Sequence, residues 1–491
     1  MYESTRGNYP EQTGKEAIAL GMVPVGGLFV PKHYPKINWE DIRGITYPQL
    51  AQLIFQSYLP DFTKEKCIEA SEIYNKNVFD SDNPAPLVNV GKMGILELWH
   101  GPTAAFKDMA LQVLPHLLGE SMKVLTQTDR VLILVATSGD TGKAALEGFK
   151  NVKGTEIIVF YPESGVSTVQ ERQMTTTDGV NTRVVPVMGN FDQCQSAVKE
   201  IFANSKLRET FNQRGIAFSS ANSINWGRLL PQIVYYFWAY LQAVESQSLR
   251  PGEKMNVVVP TGNFGNILAA YYARMMGLPI NKLICASNEN NVLTDFFVEG
   301  IYNRNRSFYV TSSPSMDILI SSNFERFLYE MSGKRPDKIN NWYKQLQERG
   351  EFKVDSDTLA MAREAVVAGW ASEAEVQMVI KAVYQEYSYV LDPHTAVAVK
   401  VYDDYTKKTG DKTFTIIAST ASPFKFAKTV LEGIDASAVS GDEWINLKKL
   451  SEITGWAIPQ GLQGLEDKQT FGLSHVRPKE ISELIRKVYI S

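Results

Sequence analysis

One lysine has the surroundings of a nucleophile. Lys107 follows Phe106 in the segment of residues 98–112, just after a Gly-Pro turn. Apolar residues three, four and seven positions later place it on the inward face of a predicted helix. Burial beside an aromatic ring disfavours the ammonium form and lowers the pKa of an amine. Lys107 could then form a Schiff base with a carbonyl compound, although many lysines simply begin helices.

A second candidate is the glycine-rich loop of residues 262–266, which follows an apolar run and precedes a helical pattern. Glycine lets backbone amides approach an anion closely, and a helix N-terminus offers unsatisfied N–H groups. The pattern predicts a phosphate cradle or, as the alternative, a turn that needs glycine for its geometry alone. The candidate residues are Gly262, Asn263, Phe264, Gly265 and Asn266.

The loop of residues 137–142 looks at first like a nucleotide-binding P-loop. Ala144 stands where a P-loop needs a hydroxyl, and the first P-loop glycine is replaced by a threonine. We interpret this loop as a site for the α-carboxylate of an amino acid, bound by Ser138, Thr141 and amides at a helix start. Asp140 has no role that the sequence assigns. The candidate substrate residues are Thr137, Ser138, Asp140, Thr141 and Lys143.

A polar cluster at residues 221–228 offers a further anion site. Arg228 is suited to bidentate binding of a substrate phosphate. Lys143 could reach the same group, and either cation could instead be solvated or salt-bridged. The substrate-binding candidates of this cluster are Asn222, Ser223, Asn225 and Arg228.

Continuous apolar runs precede the candidate loops and predict how they are held. Residues 130–136, 255–259 and 413–418 each lead into a small polar loop and then a helical pattern. Uninterrupted apolar strands are typical of parallel sheets covered by helices on both faces. The sequence therefore predicts an α/β fold with ligands at the carboxyl ends of the strands.

The length of 491 residues suggests several domains. Residues 1–85 are predicted to form a helical N-terminal lobe, and residues 86–250 and 251–435 two α/β domains. A mostly helical insertion is expected at about 290–390, and residues 436–491 form a C-terminal tail.

Composition excludes several functional classes. Apolar residues make up 44% of the chain and the net charge is −4, so no basic field favours nucleic acid or an anionic membrane. Three scattered cysteines and five dispersed histidines indicate neither disulfides nor a metal site. The N-terminus lacks the apolar region of a secretory signal. We expect a cytoplasmic protein and leave its oligomeric state open.

The segment around Lys107 resembles the cofactor-lysine motif of threonine synthases, pyridoxal-phosphate enzymes of fold type II. Further matching motifs occur in the order found in the family. They are residues 4–7, 26–29, 136–142, 223–228, 262–266, 313–317 and 419–423. The resemblance is clearest from about residue 86 to 330 and around residue 420.

The resemblance implies a fold type II architecture, with Lys107 and Phe106 at the cofactor and the glycine loop at its phosphate. It also implies that Thr420 faces the pyridine nitrogen, where a hydroxyl leaves that nitrogen unprotonated. The implied reaction converts O-phosphohomoserine and water to threonine and phosphate, the last step of threonine biosynthesis.

Two alternatives remain. A related fold type II lyase, such as a threonine or serine dehydratase, acts on substrates without a phosphate, which the cluster around Arg228 disfavours. A cofactor-binding protein without turnover is disfavoured by the presence of Lys107 together with all three loops.

Overall fold

The computed structural model describes residues 1–124, 129–137, 139–163 and 166–490. Its strands are β1 Tyr2–Ser4, β2 Phe29–Pro31, β3 Leu87–Val90, β4 Met93–Glu97, β5 Arg130–Ala136, β6 Thr155–Pro162, β7 Thr182–Val187, β8 Ile216–Ser219, β9 Met255–Pro260, β10 Ile280–Ser287, β11 Ile301–Asn303, β12 Glu351–Lys353, β13 Val366–Trp370 and β14 Thr415–Ser419.

The α-helices surround these strands. They are α1 Gly14–Leu20, α2 Tyr47–Tyr58, α3 Lys64–Ser71, α4 Asp108–Leu111, α5 Leu114–Ser121, α6 Asp140–Phe149, α7 Thr168–Thr175, α8 Phe191–Ala203, α9 Ser205–Asn212, α10 Trp226–Glu245, α11 Gly265–Met275, α12 Val292–Glu299, α13 Phe324–Met331, α14 Pro336–Arg349, α15 Ser356–Ala365, α16 Glu373–Tyr387, α17 Pro393–Thr409, α18 Ala427–Ile434, α19 Glu443–Thr454 and α20 Ile481–Tyr489. Short 3-10 helices are Trp39–Ile42, Met122–Val124, Pro314–Met316, Pro423–Phe426, Ala436–Ala438, Gln460–Leu462 and Pro478–Glu480.

Two sheets carry the candidate loops. Within the described residues, the larger sheet has the strand order β13-β10-β9-β14-β4-β3 and is parallel except for the antiparallel pair β3–β4. The smaller sheet, β7-β6-β5-β8, is parallel throughout. The predicted α/β class is confirmed, and the three apolar runs are β5, β9 and β14.

The buried helix α10 joins the core to the N-terminal lobe. Its first three turns and most of the rest are buried, because its side chains are mostly apolar and aromatic. The Asn225 side chain begins the helix by accepting from the Gly227 amide at 2.9 Å and donates to the Ile18 carbonyl at 3.1 Å. No helix of the described residues is long and apolar enough to cross a membrane.

The sheets divide the chain differently from the predicted ranges. Strands β3 and β4 fall within residues 86–250, yet β4 pairs with β14 of the range 251–435. Strand β13 of the insertion adds a parallel edge beside β10. Parallel strands pair through long crossover connections, so apolar runs alone do not reveal which strands are neighbours.

Helix α6 packs tightly against the helix that follows Lys107. A Cβ atom at Gly148 would lie 2.1 Å from the Leu111 carbonyl oxygen, so the two backbones nearly touch there. The absence of a side chain at Gly148 therefore fixes the distance between α6 and α4.

We expect Gly148→Ala to destabilise the fold by about 1–3 kcal/mol, because the added methyl group must push backbone apart. The matched control is Gly119→Ala in α5, where nothing lies within 4 Å of the new Cβ. The control should gain about 0.5–1 kcal/mol, since alanine favours helices over glycine. Urea unfolding measures the free energy of unfolding of both variants. Equal values for the two variants would contradict the close contact between Gly148 and Leu111.

Candidate active site

Backbone contacts hold the segment around Lys107 in place. The Phe106 amide donates to the Thr420 carbonyl at 2.9 Å, which ties the segment to the end of β14. Asp108 accepts from the Thr103 amide and hydroxyl, both at 2.8 Å, and closes the turn before α4. Lys107 thus stands immediately before a helix whose start is fixed on both sides.

The Lys107 amine lies in a buried polar cluster. Its Nζ is 3.3 Å from both Asp140 Oδ2 and Ser315 Oγ, and 5.0 Å from the centre of the Phe106 ring. Burial lowers the pKa of Lys107, and the positive charges of Lys425 and Arg228 lower it further, against the opposing effect of Asp140. The amine is therefore more readily unprotonated than an exposed lysine.

Asp140 is the anion of this cluster. Its carboxylate, at the start of α6, lies 2.6 Å from Lys425 Nζ and accepts from Gln170 Nε2 at 2.9 Å. Burial alone would raise the pKa of Asp140, but Lys425 and Lys107 hold it well below the ordinary value. Lys425 is fully buried and also donates to the Thr103 carbonyl at 3.1 Å.

Sequence reasoning missed Lys425 and Ser315. Both lie in or beside motifs that the sequence analysis quotes, residues 419–423 and 313–317, but neither motif suggested a partner for Lys107. A lysine two residues after a buried strand-end motif is the available signal. Its significance depends on the contact with Asp140, which is remote in sequence.

The glycine loop has the geometry of an anion site. Phe264 adopts a left-handed conformation with φ +63°, and α11 then begins at Gly265 with no side-chain cap from the described residues. The first amides of α11 therefore remain available to an anion. A Cβ atom at Gly262 would lie 2.5 Å from the Ser315 carbonyl oxygen, so this loop packs directly on the segment that contacts Lys107.

Other loop residues serve partly to hold the loop. The Asn263 carbonyl accepts from the Asn323 amide at 3.0 Å, and its side chain accepts from the Ser322 hydroxyl at 3.2 Å. The Asn266 side-chain oxygen accepts from the Tyr235 hydroxyl at 2.9 Å and from Tyr236. These bonds fix the start of α11 against α10.

Two buried donors, one in this loop and one on α10, have no protein partner among the described residues. They are Asn266 Nδ2 and Arg228 Nε. Within the residues that the structure describes, no carboxylate forms an ion pair with Arg228. Its Nη1 donates to the Ala221 carbonyl. Burial lowers the pKa of Arg228 to about 10. An unpaired buried cation and an unpaired buried amide match the needs of a bound anion.

The loop at residues 137–142 is held in part by its own hydrogen bonds. Thr137 accepts from the amides of Gly139 and Gly142, both at 3.0 Å, and so stabilises the loop itself. Thr141 is half-buried in the first turn of α6, while Ser138 lies outside the described residues. Among the predicted substrate residues of this loop that the structure describes, Asp140 is the one that contacts Lys107.

Lys143 has other partners than the predicted substrate. Its amine is 2.8 Å from Glu147 Oε2, one turn further along α6, and 3.1 Å from the Thr177 hydroxyl. The structure therefore does not bring Lys143 into the cluster around Lys107.

The polar cluster at residues 221–228 divides into structural and accessible positions. Asn225 uses both ends of its amide to cap α10 and to bind the N-terminal lobe. Asn222 and Ser223 are half-buried, and the Ser223 hydroxyl lies 3.4 Å from that of Ser322. Arg228 has the unpaired buried nitrogen, so it is the member best suited to a ligand.

Comparison with known proteins identifies the family. The family described as "Pyridoxal-phosphate dependent enzyme" matches residues 78–419. "Threonine synthase N terminus" matches residues 1–71, and "Threonine synthase, C-terminal" matches residues 395–480. The chain belongs to the threonine synthase family of pyridoxal-phosphate-dependent enzymes.

Relatives cover most of this chain. Threonine synthase of Saccharomyces cerevisiae is 37% identical, covering 88% of each chain. Human "Threonine synthase-like 1" is 39% identical over 89% of this chain, and this chain spans 61% of that protein's length. The PLP-bound threonine synthase structure from Brucella melitensis has a TM-score of 0.87 and 33% identity, covering 100% of this chain and 99% of its own. The yeast threonine synthase structure has the same TM-score with 34% identity, covering 99% of this chain and 97% of its own.

Pyridoxal phosphate is the cofactor of this family, and the site described above fits it. The buried lysine suits the aldehyde, and the uncapped start of α11 suits the phosphate. The unpaired Nδ2 of Asn266 lies at that same helix start. We expect Lys107, the loop of residues 262–266 and Thr420 to hold the cofactor.

We expect Gly262→Ala to weaken pyridoxal phosphate binding about tenfold or more, because the new methyl group displaces the Ser315 backbone, at a typical overpacking cost of about 1–3 kcal/mol. In Gly119→Ala, the control, the substituted position lies in α5 outside this loop and nothing lies within 4 Å of the new Cβ, so affinity should be retained. Fluorescence titration of the apo-proteins with cofactor measures both. Unchanged affinity in Gly262→Ala would place the phosphate away from this loop.

Proposed function

We propose that this protein is a threonine synthase, which converts O-phospho-L-homoserine and water to L-threonine and phosphate by β,γ-replacement. The observation that carries the proposal is the buried Lys107 amine, held 3.3 Å from Asp140 and Ser315 in a chain of this family. Named threonine synthases of yeast and Pseudomonas aeruginosa support it, each 37% identical to this chain.

The work of Lys107 follows from its surroundings. Pyridoxal phosphate, when bound, supplies an electron sink for charge that develops on the substrate carbons. Lys107 would hold the cofactor through Nζ, and its amine would take and return protons at the substrate's Cα and Cβ. A lowered pKa suits this task, since a general base must be unprotonated near working pH.

The substrate carries two anionic groups besides its amine, and two regions are proposed for them. The start of α6 binds the α-carboxylate through Ser138, Thr141 and backbone amides. Arg228 binds the leaving phosphate, with Asn222 and Ser223 beside it, because its unpaired Nε offers a charge-assisted hydrogen bond.

We place this activity in the cytoplasm. Cys67, Cys194 and Cys285 are buried free thiols, as is usual for a protein of a reducing compartment. The negative net charge supports small-molecule substrates as its ligands rather than nucleic acid.

Purified protein loaded with cofactor should release threonine and phosphate in equal amounts from O-phosphohomoserine. Lys107→Ala should lose nearly all turnover, because one amine serves as both cofactor anchor and proton carrier. Amino-acid analysis and a phosphate assay on the same sample measure the two products.

The outcome also separates the alternatives. Release of ammonia and a 2-oxo acid from threonine or serine, with no reaction of O-phosphohomoserine, would indicate a dehydratase. Cofactor binding with no turnover of these three substrates would contradict an enzymatic role for this site.

Arg228→Gln should reduce kcat/KM for O-phosphohomoserine at least about tenfold, because a charge-assisted hydrogen bond contributes about 1.5–3 kcal/mol. Inhibition by free phosphate should weaken in parallel. Steady-state kinetics at saturating cofactor measure both, with Arg335→Gln, an exposed cation paired to Asp337, as the control.

Cofactor affinity distinguishes the two phosphates of this reaction. Arg228→Gln should bind pyridoxal phosphate with unchanged affinity if Arg228 holds the substrate. Loss of cofactor binding would assign Arg228 to the cofactor phosphate at the start of α11, and full kcat/KM would move the role to another cation.

A further inference from the structure

The buried charges around Lys107 are not equally spaced. Asp140 lies 2.6 Å from Lys425 but 3.3 Å from Lys107. The Lys425 side chain is 0% exposed and that of Asp140 3%, whereas Lys107 retains 11%. Because its contact with Asp140 is shorter and less exposed to solvent than that of Lys107, Lys425 is the principal ionic partner of Asp140.

This arrangement solves an electrostatic problem. A buried carboxylate is strongly unfavourable without a compensating charge. If Lys107 alone compensated Asp140, the pair would be most stable with Lys107 protonated, and a protonated amine neither attacks a carbonyl nor accepts a proton. A second buried cation removes that conflict.

We propose that Lys425 is a positioning residue that neutralises Asp140, so that Lys107 can lose and regain its proton while the carboxylate stays charged and in place. The proposal deepens the proposed function, since it concerns the proton exchange of that same site. Neither the lysine motif nor the three predicted loops include Lys425.

The other groups facing the cluster are consistent with this role. Arg228 on α10 adds a positive charge that also lowers the pKa of Lys107. Ser315 bridges Lys107 and Asp140 through its hydroxyl, 3.3 Å from each. The Ser315 amide donates to His394 Nε2 at 3.2 Å, and His394 Nδ1 lies 2.8 Å from Asp392, so this imidazole holds the Ser315 segment in place.

The charges determine in which direction each substitution shifts the pH at which the Lys107 nitrogen loses its proton. Lys425→Met leaves Asp140 to act on Lys107 unopposed, which favours the protonated nitrogen and raises the pH at which it deprotonates. Asp140→Asn leaves Lys425 without its partner and lowers that pH. In the double variant Asp140→Asn, Lys425→Met both charges are absent, so the two effects oppose each other.

The test is a pH titration of the holoenzyme, without substrate, followed by the absorbance of the cofactor bound to Lys107. Compared with the unsubstituted protein, the midpoint should rise by about 1–3 pH units in Lys425→Met, the usual effect of an opposite charge at this range. It should fall in Asp140→Asn, and in the double variant it should lie between the midpoints of the two single variants, because the two charges act on the Lys107 nitrogen in opposite directions. The control is Lys400→Met, a lysine paired with Glu375 and Asp404, which should leave the midpoint unchanged.

A midpoint in Lys425→Met within about half a unit of the unsubstituted protein would overturn the proposal, as would a double variant that keeps the shift of either single one. If Lys425→Met does not fold, Asp140→Asn and the double variant still test the direction of the midpoint shift and the opposed effects of the two charges. This titration needs no turnover. Failure to form threonine would therefore contradict the proposed function, whereas the shift in the titration midpoint would still test the role of Lys425.

Discussion

The site depends on the interaction of the buried Asp140 carboxylate with two lysines. The carboxylate lies at the start of α6, after a strand of the smaller sheet, and it bonds to Lys425, which follows a strand of the larger sheet. Lys107 joins the same carboxylate from the segment between β4 and α4. Removing one partner of a buried ion pair commonly costs about 3–5 kcal/mol, so this cluster fixes the position of the two sheets' loops as well as the state of the amine.

The predicted insertion contributes to this cluster rather than only covering it. Ser315 lies within residues 290–390, and the carboxylate of Asp317 holds its segment. That carboxylate accepts from the side chains of Asn288 at 2.7 Å and Thr311 at 2.7 Å, and from Asn290 at 3.0 Å. Because the Ser315 carbonyl rests on Gly262, any movement of the insertion would also change the loop proposed to hold the cofactor phosphate.

Predictions made from local pattern succeeded where the cause is itself local. The strands β5, β9 and β14 follow from uninterrupted apolar runs, and the start of α11 in the glycine loop follows from the helical pattern after that loop. The polar residues around α10 show the limit of such reasoning. Asn225 and Arg228 lie three positions apart in one motif, yet one caps a helix and the other is buried without an ionic partner in the described chain.

The sequence by itself determined the family and the α/β class and predicted the lysine of the candidate site, because each depends on motifs whose own residues lie close together in the chain. Only the tertiary structure decided which charges meet that lysine. Asp140, Ser315 and Lys425 belong to distant segments, and Lys143, a predicted substrate residue of the same loop as Asp140, pairs with Glu147 instead. The physical reason is that the pKa of a buried amine is set by all charges within a few ångströms. Packing brings those charges together through strand crossovers that leave no local pattern.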